Sequence, residues 1–197
     1  MLYFQYIQSI NPFSIDELNN QKTISNKLFY CRTHLNELAK GSSRNVFDFG
    51  ESVIKIAKNQ KGIEQNKVEI SIGLIKPDCV PNLIKFSEDS SWSVFEKVEP
   101  VTIEQFKTLA NISITRLYEL LKYKKDKKRN KVDLDSKKEI EIENNKLLRE
   151  LAKLIDDYDL SVGDMVRISS WGQKNGKVLL LDFGLTSEIY RKFYKKD

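Results

Sequence analysis

The chain is poor in the residues that build cross-links and metal centres. Its 197 residues include two cysteines, Cys31 and Cys79, and one histidine, His34. That is too few for a disulfide framework, and the three together do not make a zinc site of the usual spacing. Both cysteines read as packing residues. No apolar run approaches the roughly eighteen residues of a membrane span, and the amino terminus has neither the basic start nor the apolar core of a secretory signal. The expected location is therefore the cytoplasm, with no membrane contact. Met1-Leu-Tyr-Phe-Gln5 resembles a fragment of a protease-cleavage tag, but the Tyr-Ile-Gln that follows does not fit such a scar, so the segment is taken as native. Glycine and proline are also sparse, at 8 and 4, which leaves long stretches free to form regular structure.

What is abundant is charge. A net charge of +5 favours contact with anions such as nucleotide phosphates, nucleic acid or an acidic protein surface, without choosing among them. Much of the excess lies in Lys122-Tyr-Lys-Lys-Asp-Lys-Lys-Arg-Asn-Lys131. This run reads as a solvated insertion or mobile loop, or else as a nucleic-acid patch. Gly-Arg repeats are absent and Tyr123 is its only aromatic. With 40% apolar residues the chain can bury a core of one domain, or of one domain with two lobes.

The apolar period changes along the chain. Residues 13–40 read as helical, with Ser14 as a cap and Leu28, Phe29, Leu35 and Leu38 at helical spacing. Asn45–Phe49 and Ser52–Ala57, joined at Gly50-Glu51, read as a β-hairpin. Gly62–Lys76 returns to helical spacing, weakened at Gly73, and Pro77 and Pro81 mark a loop. Asn82–Phe86 and Trp92–Val98 form a second strand pair. Thr102 and Gln105 form a capping box, and further helices are expected over about 114–122 and 144–158. The segment 159–172 reads as a loop, and Lys174-Asn-Gly-Lys177 as a hairpin turn before the strand that ends at Asp182.

Four pieces carry possible chemistry. Gly41-Ser42-Ser43-Arg44 has small residues that let backbone N–H groups approach phosphate oxygens, although a plain hairpin turn uses the same residues. Lys55, inside an apolar strand, either points to solvent or is held within by a carboxylate, for which Glu69 is the available partner. Asp164, in Gly163-Asp-Met-Val-Arg-Ile-Ser-Ser-Trp-Gly172, is either a turn residue or a group that orients a hydroxyl. Asp182 is delivered by a buried strand into a tight Phe-Gly turn, as kinase-type folds present a magnesium-binding aspartate.

In this order the pieces resemble the protein-kinase-like superfamily, with a pattern similar to small kinase-like proteins of tailed bacteriophages. The resemblance spans roughly residues 38–197. It implies an α+β fold, with an N-terminal antiparallel sheet lobe carrying one helix (41–99), a truncated and mainly helical C-terminal lobe (100–197), and a helical lead-in (1–40). It implies ATP and Mg²⁺ as cofactors: Gly41, Ser42, Ser43 and Arg44 as phosphate loop, Lys55 paired with Glu69 over the phosphates, and Glu96 to Val98 offering backbone groups to adenine. Asp164 becomes the catalytic base, and Asp182 a metal ligand, with Ser170 standing where the family has a metal-binding asparagine. Serine is a shorter and poorer ligand, and its spacing from Asp164 is one residue longer than usual. Only thirteen residues follow Gly184, too few for the activation segment and later helices that dock peptide substrates. Two functions remain open at this stage. One is a kinase acting on a protein or small-molecule hydroxyl. The other is a catalytically degenerate interaction protein, such as a phage factor binding a host protein in the host cytoplasm.

Overall fold

The computed structural model describes residues 12–195, so the amino-terminal segment around Met1 to Gln5 lies outside the described residues. The fold is mixed α+β, with an antiparallel sheet in the first half and a mainly helical second half.

The chain enters through two short helices, α1 (Ile15–Asn20) and α2 (Ile24–His34), where a single long helix was expected. Ser14 does cap the first, accepting from the Asp16 and Glu17 N–H groups, but Thr23 starts a second helix by the same device. The expectation fails again at β1 (Glu37–Lys40). Glu-Leu-Ala-Lys has good helix formers, yet pairing with the next strand draws it into the sheet; tertiary hydrogen bonding overrides a weak local preference.

Strands β2 (Arg44–Phe49) and β3 (Ser52–Ala57) form the expected hairpin, with Gly50 at φ +67° in its turn. Helix α3 (Gln60–Leu74) follows, then β4 (Leu83–Phe86) and β5 (Trp92–Glu96). The five strands order as β1-β2-β3-β5-β4. Alternation splits this sheet cleanly. Phe47, Ile54, Ile56, Trp92 and Val94 pack with Leu18, Leu28 and Cys31 of the entry helices. Their neighbours in sequence, including Val46, Val53, Lys55 and Phe95, face the opposite side. Burial in this core pushes the Cys31 thiol up to about 12, which keeps it an unreactive packing group.

Beyond the sheet, β6 (Glu99–Pro100) leads into α4 (Ile103–Ala110), whose Thr102–Gln105 capping box forms as the spacing requires. Then come α5 (Ile114–Lys128), α6 (Ser136–Asn144) and α7 (Lys146–Tyr158). Helix α7 buries Leu148, Leu151, Leu154 and Ile155 along one stripe in the main core. Two 3₁₀ turns, Gly163–Val166 and Ile168–Ser170, bridge to the hairpin β7 (Trp171–Lys174) and β8 (Lys177–Leu180). Asn175 and Gly176 both take positive φ in its turn, as an Asn-Gly hairpin demands. Helix α8 (Ser187–Phe193) closes the described chain.

The basic run is not a loop. Residues up to Lys128 continue α5, and most of the cations are committed inside the molecule. Lys125 donates to the Asp159 and Leu160 carbonyls, Lys128 to those of Ile155 and Asp156, and Arg129 reaches Asp159 and Ser187. Lys124 pairs with Asp156 and Lys127 with Glu139. The carbonyls left open at the C-terminal end of α7 attract cations, and α5 supplies them. Lys125→Ala should therefore destabilise the fold by about 1–3 kcal/mol, the cost of leaving buried acceptors without a donor. Urea unfolding followed by circular dichroism reads the change; a solvated loop lysine would leave the midpoint unmoved.

Candidate phosphate-binding cleft

The first half of the chain meets the β7–β8 hairpin region across a cleft of about 510 Å³, a size typical of small-molecule sites. Its walls include Leu38, Val46, Val53, Phe95 and Leu181; Arg44, Lys55 and Asp182 are among its polar groups, with Glu96, Lys97, Glu99 and Ser169 elsewhere along the lining. An apolar slot ending in a few converging charges is the usual build of a ligand pocket.

At the inner end lies a buried charge cluster centred on Glu69, which is 0% exposed. Lys55 Nζ meets Glu69 Oε2 at 2.7 Å, and Arg44 Nη1 meets the same oxygen at 2.8 Å. The other oxygen, Oε1, accepts the Phe183 N–H at 3.1 Å. Lys55 also donates to the Leu181 carbonyl at 2.7 Å, and its ammonium lies 4.8 Å from the Phe95 ring centre. Lys55 is therefore held within, and the open choice left by its strand is closed by a carboxylate one helix later.

The cluster sets the charge states. Burial acts most strongly on Glu69 and opposes its ionisation, yet Arg44 and Lys55 together outweigh it and hold the carboxyl below the ordinary range. Burial pushes Lys55 down from the usual lysine range, and Glu69 only partly restores it, with Arg44 adding to the fall.

Two glycines let α3 sit this close. A Cβ on Gly62 would lie 2.1 Å from the Ser43 carbonyl oxygen, and one on Gly184 would lie 2.5 Å from that of Gln65. The first fits α3 under the Gly41–Arg44 loop, and the second seats the Asp-Phe-Gly turn against the same helix. Ser43 Oγ donates to Gln65 Oε1 at 2.6 Å, and Gln65 Nε2 in turn donates to Tyr194 Oη at 3.2 Å. Loop, helix and C-terminal segment are thus linked through one side chain.

The predicted residues separate into two groups. Gly41, Arg44, Lys55, Glu96, Val98 and Asp182 line the cleft, with Glu69 directly behind Lys55. Ser42 and Ser43 do not line it; Ser43 is turned to Gln65, and Ser42 Oγ accepts from Lys61 at 3.3 Å. Arg44 is directed away from its loop and into the cluster, with Nη2 on Asp182 Oδ1 at 2.6 Å. The Glu96 side chain is held by Lys174 and Asn82, and the main-chain N–H groups of Glu96 and Lys97 bond to Asn82 and Glu51. The Val98 N–H has no main-chain partner among the described residues.

Asp164 lies in the first 3₁₀ turn, outside the cleft lining, with Oδ1 3.2 Å from Arg167 Nη1. Ser170 does not suit a metal: it is buried and its hydroxyl donates to the Asp164 carbonyl at 2.8 Å. The neighbouring Ser169 lines the cleft instead. That exchange was legible, since the kinase catalytic-loop spacing places the metal-binding residue five after the aspartate, which is Ser169.

The donor set suits one hard cation rather than two. Among the described residues no three His, Cys, Asp or Glu side chains converge to hold a metal by themselves. Asp182 engages only Oδ1 and is 51% exposed, which leaves an oxygen for an ion shared with phosphates and water, the usual arrangement for Mg²⁺.

No protein-family model matches the chain, and no curated protein matches it by sequence. Among solved structures, that of the streptomycin-ATP-APH(2'')-IIa ternary complex is similar at 15% identity, covering 86% of this chain and 69% of that one, with a TM-score of 0.38. The gentamicin-APH(2'')-IIa complex gives the same identity and TM-score over 86% of this chain and 68% of its own. What the cleft can do is read from its own side chains.

Loss of Glu69 ionisation should weaken the fold. Because its folded pKa is depressed, its contribution is full above the unfolded value of about 4.5 and is lost as pH falls through the folded one. Glu69→Gln should cost about 3–5 kcal/mol at neutral pH, since it strands two buried cations. It should also flatten the acid limb of stability against pH, measured by denaturant melts at several pH values; an unchanged acid limb would remove Glu69 from the cluster's energetics.

Proposed function

We propose that this chain is a reduced kinase-like protein. It binds ATP in the cleft and transfers the terminal phosphoryl group to a hydroxyl of a protein or small molecule. The observation that carries the reading is the buried Lys55–Glu69 pair, 2.7 Å apart, set in the wall of an apolar cleft that also presents Asp182. A strand lysine held by a helix glutamate, with a metal-binding aspartate opposite, is the arrangement that grips nucleotide phosphates in kinases.

The roles of the cleft residues follow from position, and that of Asp164, which lies outside the lining, from its place in the kinase-like pattern. Val53, Phe95 and Leu181 sandwich the base, and the Val98 N–H offers it a hydrogen bond. Lys55 holds the inner phosphates, kept in place and charged by Glu69. Asp182 would hold Mg²⁺, which would supply neutralisation of phosphate charge there. Asp164 orients the acceptor hydroxyl and takes its proton as the oxygen attacks the terminal phosphorus. The bond to the bridging oxygen then breaks and ADP leaves.

One observation favours a second reading. The Asp164 carboxylate is paired with Arg167, and Ser170 is spent on the Asp164 backbone. A site so arranged suits nucleotide binding without turnover, in an interaction protein of phage type that modulates a host protein.

A thermal melt with ATP and Mg²⁺ tests the shared part. Binding to the folded state alone should stabilise it by about 2–3 kcal/mol at a hundredfold excess over the dissociation constant. The absence of any shift would remove the kinase reading and favour an interaction protein whose nucleotide site is degenerate. Transfer of labelled phosphate then separates them: Asp164→Asn should stop transfer and spare binding, whereas a wild type that binds but never transfers is the interaction protein.

A further inference from the structure

We propose that Arg44 is a built-in cation of the phosphate site, supplying the charge of a second metal ion, so that triphosphate binding here depends only weakly on divalent metal. This rests on the nucleotide reading above. Arg44 opens β2 and lines the cleft, and its guanidinium bridges two carboxylates at the inner end, Glu69 at 2.8 Å and Asp182 at 2.6 Å. Nη1 also reaches Asn66 Oδ1 at 3.4 Å. Its side chain is 8% exposed, so the charge is fixed in place rather than waving in solvent. The planar fork of arginine suits such a bridge, and a lysine would reach one carboxylate only.

Two further observations assign the cation a task beyond bracing. First, the residues that would hold a second metal are missing: Ser170 is turned to the Asp164 carbonyl and Ser169 offers a lone hydroxyl. Second, the charges balance differently. Lys55, Glu69 and Asp182 alone leave one negative charge at the phosphate end of the cleft, which repels a triphosphate until metal arrives. With Arg44 the four groups are neutral. Asp182 keeps one oxygen open, so a single ion is still accommodated, but half of its carboxylate is already neutralised and holds metal less tightly.

Calorimetric titration with ATP, in saturating Mg²⁺ and in excess EDTA, tests this on the whole chain. Wild type should lose less than about tenfold in affinity when metal is removed, and Arg44→Gln about a hundredfold or more, with Arg44→Lys between them. Asp182→Asn leaves Arg44 in place and removes the competing anion, so its affinity in EDTA should match or exceed that of wild type. It also serves as the test if Arg44→Gln does not fold. Equal metal ratios in wild type and Arg44→Gln overturn the proposal, as does weaker EDTA binding by Asp182→Asn. Failure of wild type to bind ATP in either buffer is a different result: it removes the nucleotide reading, and this one with it.

Discussion

The structure depends on one buried carboxylate. Glu69 takes two cations on one oxygen and a backbone N–H on the other, and the donors come from three separate parts of the chain. Arg44 belongs to β2, Lys55 to β3 and Phe183 to the turn after β8. A fully buried carboxylate without these partners would be neutral or would unfold its surroundings. Satisfying it therefore holds the sheet, α3 and the Asp-Phe-Gly turn in one arrangement. The cleft is the space that remains between them.

The same constraint explains the small residues nearby. Glu69 reaches its partners only if α3 lies against the loop after β1 and against the turn after β8, and Gly62 and Gly184 are where side chains would block that approach. Gln65 adds one hydrogen bond with the loop, accepting from Ser43, and another to Tyr194 just after α8. In the second half of the chain a parallel solution operates, with cations from α5 satisfying carbonyls at the end of α7. The buried charges Arg44, Lys55, Glu69 and Lys125 each join separate elements. A net positive composition is for that reason a poor guide to its partners.

Much of the site was legible because its residues sit in short, strongly patterned segments. Lys55 in an apolar strand, Glu69 one helix later and Asp182 before Phe-Gly stand out through their resemblance to the kinase-like pattern, whereas the strand by itself left Lys55 open between solvent and interior. Elements with local devices were equally plain: the Thr102–Gln105 box, the Asn175-Gly176 turn, the stripe of α7. The misreadings came where local preference and tertiary demand diverge. Residues 37–40 favour helix but are claimed by strand pairing. The basic run looks solvated until the carbonyls of α7 are placed beside it. Ser169, five residues after Asp164, is the one that spacing favours, and the turn geometry brings it rather than Ser170 to the cleft.

Sequence alone determined the run from the β2–β3 hairpin through α3 to β4 and β5, and the alternation that buries Phe47, Ile54 and Ile56, because each follows from periodicity over a few residues. The tertiary structure decided which charges meet. Arg44 and Asp182 are separated by 138 positions yet lie 2.6 Å apart, and no local pattern encodes that distance. The direction of a long, flexible side chain is settled by where a desolvated partner waits for it, and that is known only once the chain has closed around Glu69.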